Sequence, residues 1–139
     1  MFEQRAQRSL EAIGRKDLAA VMRWWADDAV MEFMGHSPIS GRYEGKPAIE
    51  DFYRREFAGL EAIRITVKHV AFASPVGFTY NNTVYIESAV DETSIDGVTI
   101  HDERIVVLEY CHGKVVSMRE WAFDPTIFDA FWGSLAAPA

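Results

Sequence analysis

Residues 24–57, WWADDAVMEFMGHSPISGRYEGKPAIEDFYRREF, hold a helix end, a strand, a glycine-punctuated loop and a new helix in one continuous run. Behind the acidic turn Asp27-Asp28, Met31 and Phe33 alternate with Val30, Glu32 and Met34, the pattern of a short strand entering a core. Gly35, Pro38, Gly41 and Gly45 then break any regular pattern, and Pro47 stands where a helix should begin. Ile49, Phe52, Tyr53 and Phe57 recur at helical spacing, and Gly59 supplies the stop.

Upstream, Phe2, Ala6, Leu10 and Ile13 share one side of a first helix that Gly14 ends. Asp17 caps a second helix, predicted to carry Leu18, Val21, Met22 and Trp25 on its apolar face. Downstream the period changes to two. Ala62 to Ala73 reads as a strand, Ser74-Pro75-Val76-Gly77 as its turn, and Phe78 to Val90 as the next strand. Asp96-Gly97 signals a hairpin, and Thr99–Tyr110 and Lys114–Phe123 form two more long strands around Cys111-His112-Gly113. Asp124-Pro125 opens a last helical turn with Ile127, Phe128 and Phe131, and the Ala-Ala-Pro-Ala tail is expected to fray.

Helices in front and strands behind give an α+β domain with a mixed, mostly antiparallel sheet wrapped around three N-terminal helices. Strands this long exceed the ~5–6 residues typical of their class and should curl into a cone. Its interior is where a site is expected.

The totals narrow the function. At 139 residues and 49% apolar composition, residues 1–139 are expected to be one domain. A net charge of −7 and the absence of any lysine or arginine run argue against a nucleic-acid or anionic-membrane partner. A single cysteine, Cys111, excludes an internal disulfide, and no secretory or transmembrane stretch is present, so a cytoplasmic location is expected. The four histidines lack ligand-like spacing, which predicts no metal site, and no phosphate loop or nucleophile elbow suggests a cofactor.

Trp25-Ala26-Asp27-Asp28-Ala29, Pro38 through Gly41, Gly45-Lys46-Pro47-Ala48-Ile49, His112-Gly113-Lys114-Val115-Val116 and Arg119-Glu120-Trp121 together resemble the nuclear transport factor 2-like superfamily, in its SnoaL-like and ketosteroid isomerase-like branch. The resemblance covers nearly the whole chain. It implies a cone-shaped fold, a homodimer formed through the sheet, and a deep apolar pocket for a small molecule. It does not imply one reaction, because isomerases, cyclases, dehydratases, epoxide hydrolases and non-catalytic binders share the fold. The isomerases' first-helix tyrosine falls near Ser9, and their proton-shuttling aspartate falls on Phe33. The limonene epoxide hydrolases' water-holding tyrosine and asparagine fall on Met31 and Phe33, whereas their last-strand carboxylate aligns with Glu120.

Spacing adds its own candidates. With a three-residue loop at Cys111-His112-Gly113, Tyr110 pairs with Lys114 and Arg104 lies opposite Glu120. Asp102, Arg104, Val106 and Leu108 then share a face with Val116, Met118, Glu120 and Ala122. An arginine between two carboxylates can hold one ionised and leave the other to trade protons. A two-residue turn would instead turn His101, Glu103, Ile105 and Val107 inward, with His101 or Glu103 as acid/base. A surface or dimer-facing ion pair between Arg104 and Glu120 is the third possibility.

Met22, Trp25, Met31, Phe33 and Phe57 are expected to form the apolar wall, with Met118 on the facing strand. Tyr53 and Tyr85 offer hydroxyls, and His69 shares parity with Ile63, Ile65 and Val67. The expected function is cofactor-free acid/base chemistry on a small polyketide-, steroid- or terpenoid-like molecule. The alternative is a passive binding or association module.

Overall fold

The computed structural model describes residues 2–75 and 81–135. Helix α1 spans Phe2–Gly14 and α2 spans Leu18–Met22, the latter capped as expected by Asp17, whose Oδ1 accepts from the Ala20 amide at 3.1 Å. Strands β1 (Trp25–Phe33) and β2 (Gly41–Glu44) lead into α3 (Lys46–Gly59). Four long elements follow: β3 (Leu60–Phe72), β4 (Asn82–Ser94), β5 (Thr99–Cys111) and β6 (Lys114–Ala122). Helix α4 (Pro125–Leu135) closes the described chain. The expected turn at Val76-Gly77, the start of the strand at Phe78 and the alanine-rich tail lie outside the described residues.

The sheet order is β2-β1-β6-β5-β4-β3, with β1 and β6 parallel and every other pair antiparallel. This is the expected α+β architecture, a curved and unclosed sheet with helices against its inner face. Helix α1 packs on β3 and α3 on β1. No helix among the described residues is long and apolar enough to cross a membrane.

Three local readings are corrected. Trp25 begins β1 instead of ending a helix, and Asp27-Asp28 lies within that strand, where the pairing with β6 slips between Trp25 and Val30. The slip absorbs the acidic pair at the surface. Within the glycine-rich loop, Gly41–Glu44 forms an edge strand, Val30 opposite Glu44 and Phe33 opposite Gly41, and Arg42 bonds Glu32 across the pair at 2.7 Å. The last helix is longer than one turn. Phe128, Phe131 and Trp132 are all buried, and Phe128 meets Phe33 at 5.3 Å between ring centroids, so α4 seals one end of the cone.

A buried charge cluster at the wall of an apolar cavity

Arg104 on β5 is 3% exposed and each of its three nitrogens donates to a carboxylate. Nε reaches both oxygens of Asp102 at 3.1 and 3.2 Å, Nη1 reaches Glu120 Oε2 at 3.0 Å, and Nη2 bonds Glu92 Oε1. The guanidinium also sits over the rings of Phe128 and Phe33, 5.0 and 5.9 Å from their centroids. Strand parity explains the gathering: Asp102 and Arg104 are two apart on β5, Glu120 projects from the same face of β6, and Glu92 from that face of β4.

The route to this face differs from expectation. His112 and Gly113, with φ of 50° and 80°, make a two-residue turn that pairs Cys111 with Lys114. Taken alone, that turn would bring His101 and Glu103 inward. One extra residue on β6, Val116, then slips the register between Tyr110↔Val115 and Glu109↔Ser117 and restores the opposite parity. Asp102, Arg104, Val106 and Leu108 therefore face inward with Met118, Glu120 and Ala122, while Val115 takes the buried place expected of Val116. The partners shift by two: Arg104 lies opposite Ala122, and Glu120 opposite Val106.

His101 and Glu103 are on the outer face. His101 Nδ1 is 2.7 Å from Asp91 Oδ1, Arg64 bonds the other oxygen of Asp91 at 3.3 Å, and Glu103 pairs with Lys68. His69 joins them outside. Lys68 is an extra residue in β3, between Val67↔Ser88 and His69↔Glu87, so parity flips and His69 Nδ1 meets Glu87 Oε2 at 3.1 Å.

Inside the cone, a cavity of about 80 Å³ runs along this cluster. Of the expected wall, Trp25, Phe33, Tyr53 and Met118 line it. Met22 and Met31 are buried in the core, and Phe57 packs on Tyr53 at 5.9 Å, so none of the three reaches the cavity. Packing of α3 directly on β1 takes that space. Leu10 and Ile13 of α1, Val21 of α2 and Trp24 just after it also line the cavity, as do Ile63, Ile65, Ile86 and Val90 on the sheet side. Arg104 and Glu120 also line it, whereas Asp102 stands behind Arg104.

Two buried acids were not singled out from sequence. Glu56 on α3 is 3% exposed, lines the cavity and has no hydrogen-bond partner among the described residues. Helical spacing carried the signal, since Ile49, Phe52, Tyr53 and Glu56 share one face. Glu92 is fully buried with Oε2 unpaired, and lies on the inward parity of Val84, Ile86, Ser88 and Val90 once β4 is extended to Ser94.

Burial and crowding decide the protonation. Desolvation, then the charges of Glu92 and Glu120, raise the Glu56 pKa well above the ordinary carboxyl value, and Arg104 only partly offsets them. Desolvation also raises Glu92 and Glu120 against the pull of Arg104. Tyr53, buried beside Glu56 and Glu120, is pushed well above the usual phenol range, first by desolvation. Burial opposes the Arg104 charge, but its carboxylate neighbours outweigh that and keep it protonated. The site combines a fixed cation with carboxyls whose protonated forms burial favours. Because Glu56 has a raised folded-state pKa, its contribution to stability is complete below about pH 4.3 and fades as pH rises through its folded value. Glu56→Gln is therefore expected to gain stability relative to wild type between pH 5 and 8, read from urea unfolding at each pH.

The sequence pattern of the SnoaL-like domain matches residues 6–118. No curated protein matches. Among solved structures, Bal32a from a soil-derived mobile gene cassette superposes with a TM-score of 0.79 at 21% identity, covering 94% of this chain and 95% of that one. An NTF2-like protein of unknown function from Burkholderia pseudomallei gives 0.78 at 16% identity, with 94% and 96% covered. A protein from Bacillus subtilis, proposed to be an isomerase, gives 0.69 at 26% identity, with 96% of each chain covered.

Proposed function

We propose that this chain, which belongs to the SnoaL-like domain family, is an acid/base enzyme that works without a cofactor on a small, largely apolar molecule held in the cavity. The family includes isomerases and cyclases. One observation carries the reading: Glu120 lines an apolar cavity while its Oε2 is held by the buried Arg104, and desolvation keeps its pKa raised. Such a carboxylate can take a proton from substrate carbon or from water and return it within one turnover. Arg104 is the positioning residue, and Asp102 clamps Arg104 from behind. Tyr53, on the cavity wall with its pKa pushed well above the usual phenol range, is the hydrogen-bond donor available to a developing oxyanion. Isomerisation, cyclisation and epoxide opening all fit this set. The test is turnover of a panel covering those three reactions, with Glu120→Gln as the matched control.

A binding module is the second reading, favoured by Phe33. It occupies the first-strand position where the isomerases carry their aspartate, and it packs on Phe52 at 4.9 Å. Equal ligand affinity in wild type and Glu120→Gln, with turnover in neither, would select it.

We also propose a homodimer through the outer sheet face. Trp121 and Tyr85 are 57% and 42% exposed there and pair with the half-buried Ile105 and Val107. Light scattering is expected to give a dimer for wild type and a monomer for Trp121→Glu; a wild-type monomer would contradict it.

A further inference from the structure

We infer that the cavity takes a molecule with a basic nitrogen on an apolar body, bound as its ammonium between Glu56 and Glu120. The inference rests on the cavity being the substrate site and names the class of that substrate. Glu56 is 97% buried by difference from its 3% exposure, faces the cavity and has no hydrogen-bond partner among the described residues. Glu120 gives Oε2 to Arg104, and no side chain among the described residues bonds its Oε1. Among the residues lining the cavity Arg104 is the only cation, and its three nitrogens are already bonded to Asp102, Glu120 and Glu92. An anionic ligand would meet a surplus of acid with no cation free to receive it. An ammonium pairs with the carboxylate that Glu56 becomes on giving up its proton, and Trp24, Trp25, Phe33 and Tyr53 line the same cavity.

The protons balance. A neutral amine takes the proton of the Glu56 carboxyl and leaves an ammonium–carboxylate pair. An ammonium arriving from water displaces that proton to solvent. The charged or titratable groups that face Glu56 are Tyr53 on α3, Glu92 on β4, Arg104 on β5 and Glu120 on β6. Burial and the charges of the two glutamates favour the protonated form of Glu56. Amine affinity should therefore rise with pH through the raised Glu56 value until the amine itself loses its charge, near pH 10 for an alkylamine.

Isothermal titration of the full chain with naphthylmethylamine, naphthylmethanol and naphthoate tests this. The amine is expected to bind at least about tenfold more tightly than the alcohol at pH 7, to release protons into the buffer, and to outbind the naphthoate. In Glu56→Gln, which retains a neutral group of similar shape, the amine's advantage is expected to vanish. An alcohol or naphthoate that binds as tightly as the amine, an advantage that survives in Glu56→Gln, or no binding by any probe would overturn the inference. Turnover of neutral substrates through Glu120 without amine preference would leave the acid/base reading standing. Amine binding with turnover intact in Glu120→Gln would do the reverse.

Discussion

Arg104→Met is expected to destabilise the fold by roughly 3–5 kcal/mol, the usual cost of removing one partner from a buried ionic network. Methionine fills much of the same volume between Phe33 and Phe128, so the loss is chiefly electrostatic. Asp102, Glu92 and Glu120 would lose the cation that holds them, and Glu56 would lose its only offsetting charge. The pH dependence separates this cause from a packing defect. Protonated carboxyls do not need Arg104, so the gap between wild type and variant should be smallest near pH 4 and widen toward pH 8. At pH 7.5 the melting temperature should fall on the order of 10–20 °C, using about 3–5 °C per kcal/mol for a chain of this size. A loss that is the same at both ends of the pH range would mean that packing dominates.

Glu120→Gln should have the largest effect on activity, a fall of about 10²–10⁴ in kcat, the typical contribution of a positioned acid or base. Glutamine keeps the length of the side chain and can still accept from Arg104 Nη1, so the protein should fold. The kcat-against-KM split is informative: an effect concentrated in kcat fits a group that acts on the reacting proton, whereas a rise in KM alone would reduce Glu120 to a binding contact. In wild type the limb of the pH–rate profile that belongs to Glu120 should lie above the ordinary carboxylate range, because burial raises its pKa despite Arg104.

The architecture was legible because it is written in periods. Spacing of three and four marks the helices and spacing of two the strands, and the glycines and prolines between them place the breaks and the DG hairpin. The slips were not. Val116 and Lys68 are each a single extra residue in a strand, and nothing in their type marks them, yet one restores the inward face of Arg104 and the other turns His69 out. Asp102, Arg104 and Glu120 were thus identified as neighbours through a hairpin register that the chain does not adopt. Glu56 and Glu92 are the opposite case. Their positions follow from simple spacing, but a glutamate on an apolar face is readily taken for a solvated residue until the opposing elements are seen to bury it.

Burial in this cavity is expected to make Glu56 and Glu120 keep their protons to higher pH than exposed glutamates do. Carbon NMR of protein labelled at the glutamate carboxyl carbons, titrated from pH 3 to 9 and assigned with Glu56→Gln and Glu120→Gln, measures it directly. Glu56 is expected to titrate well above the ordinary carboxyl range and Glu120 above it by a smaller margin. Titration of both with the exposed glutamates, near pH 4.3, would contradict the acid/base site.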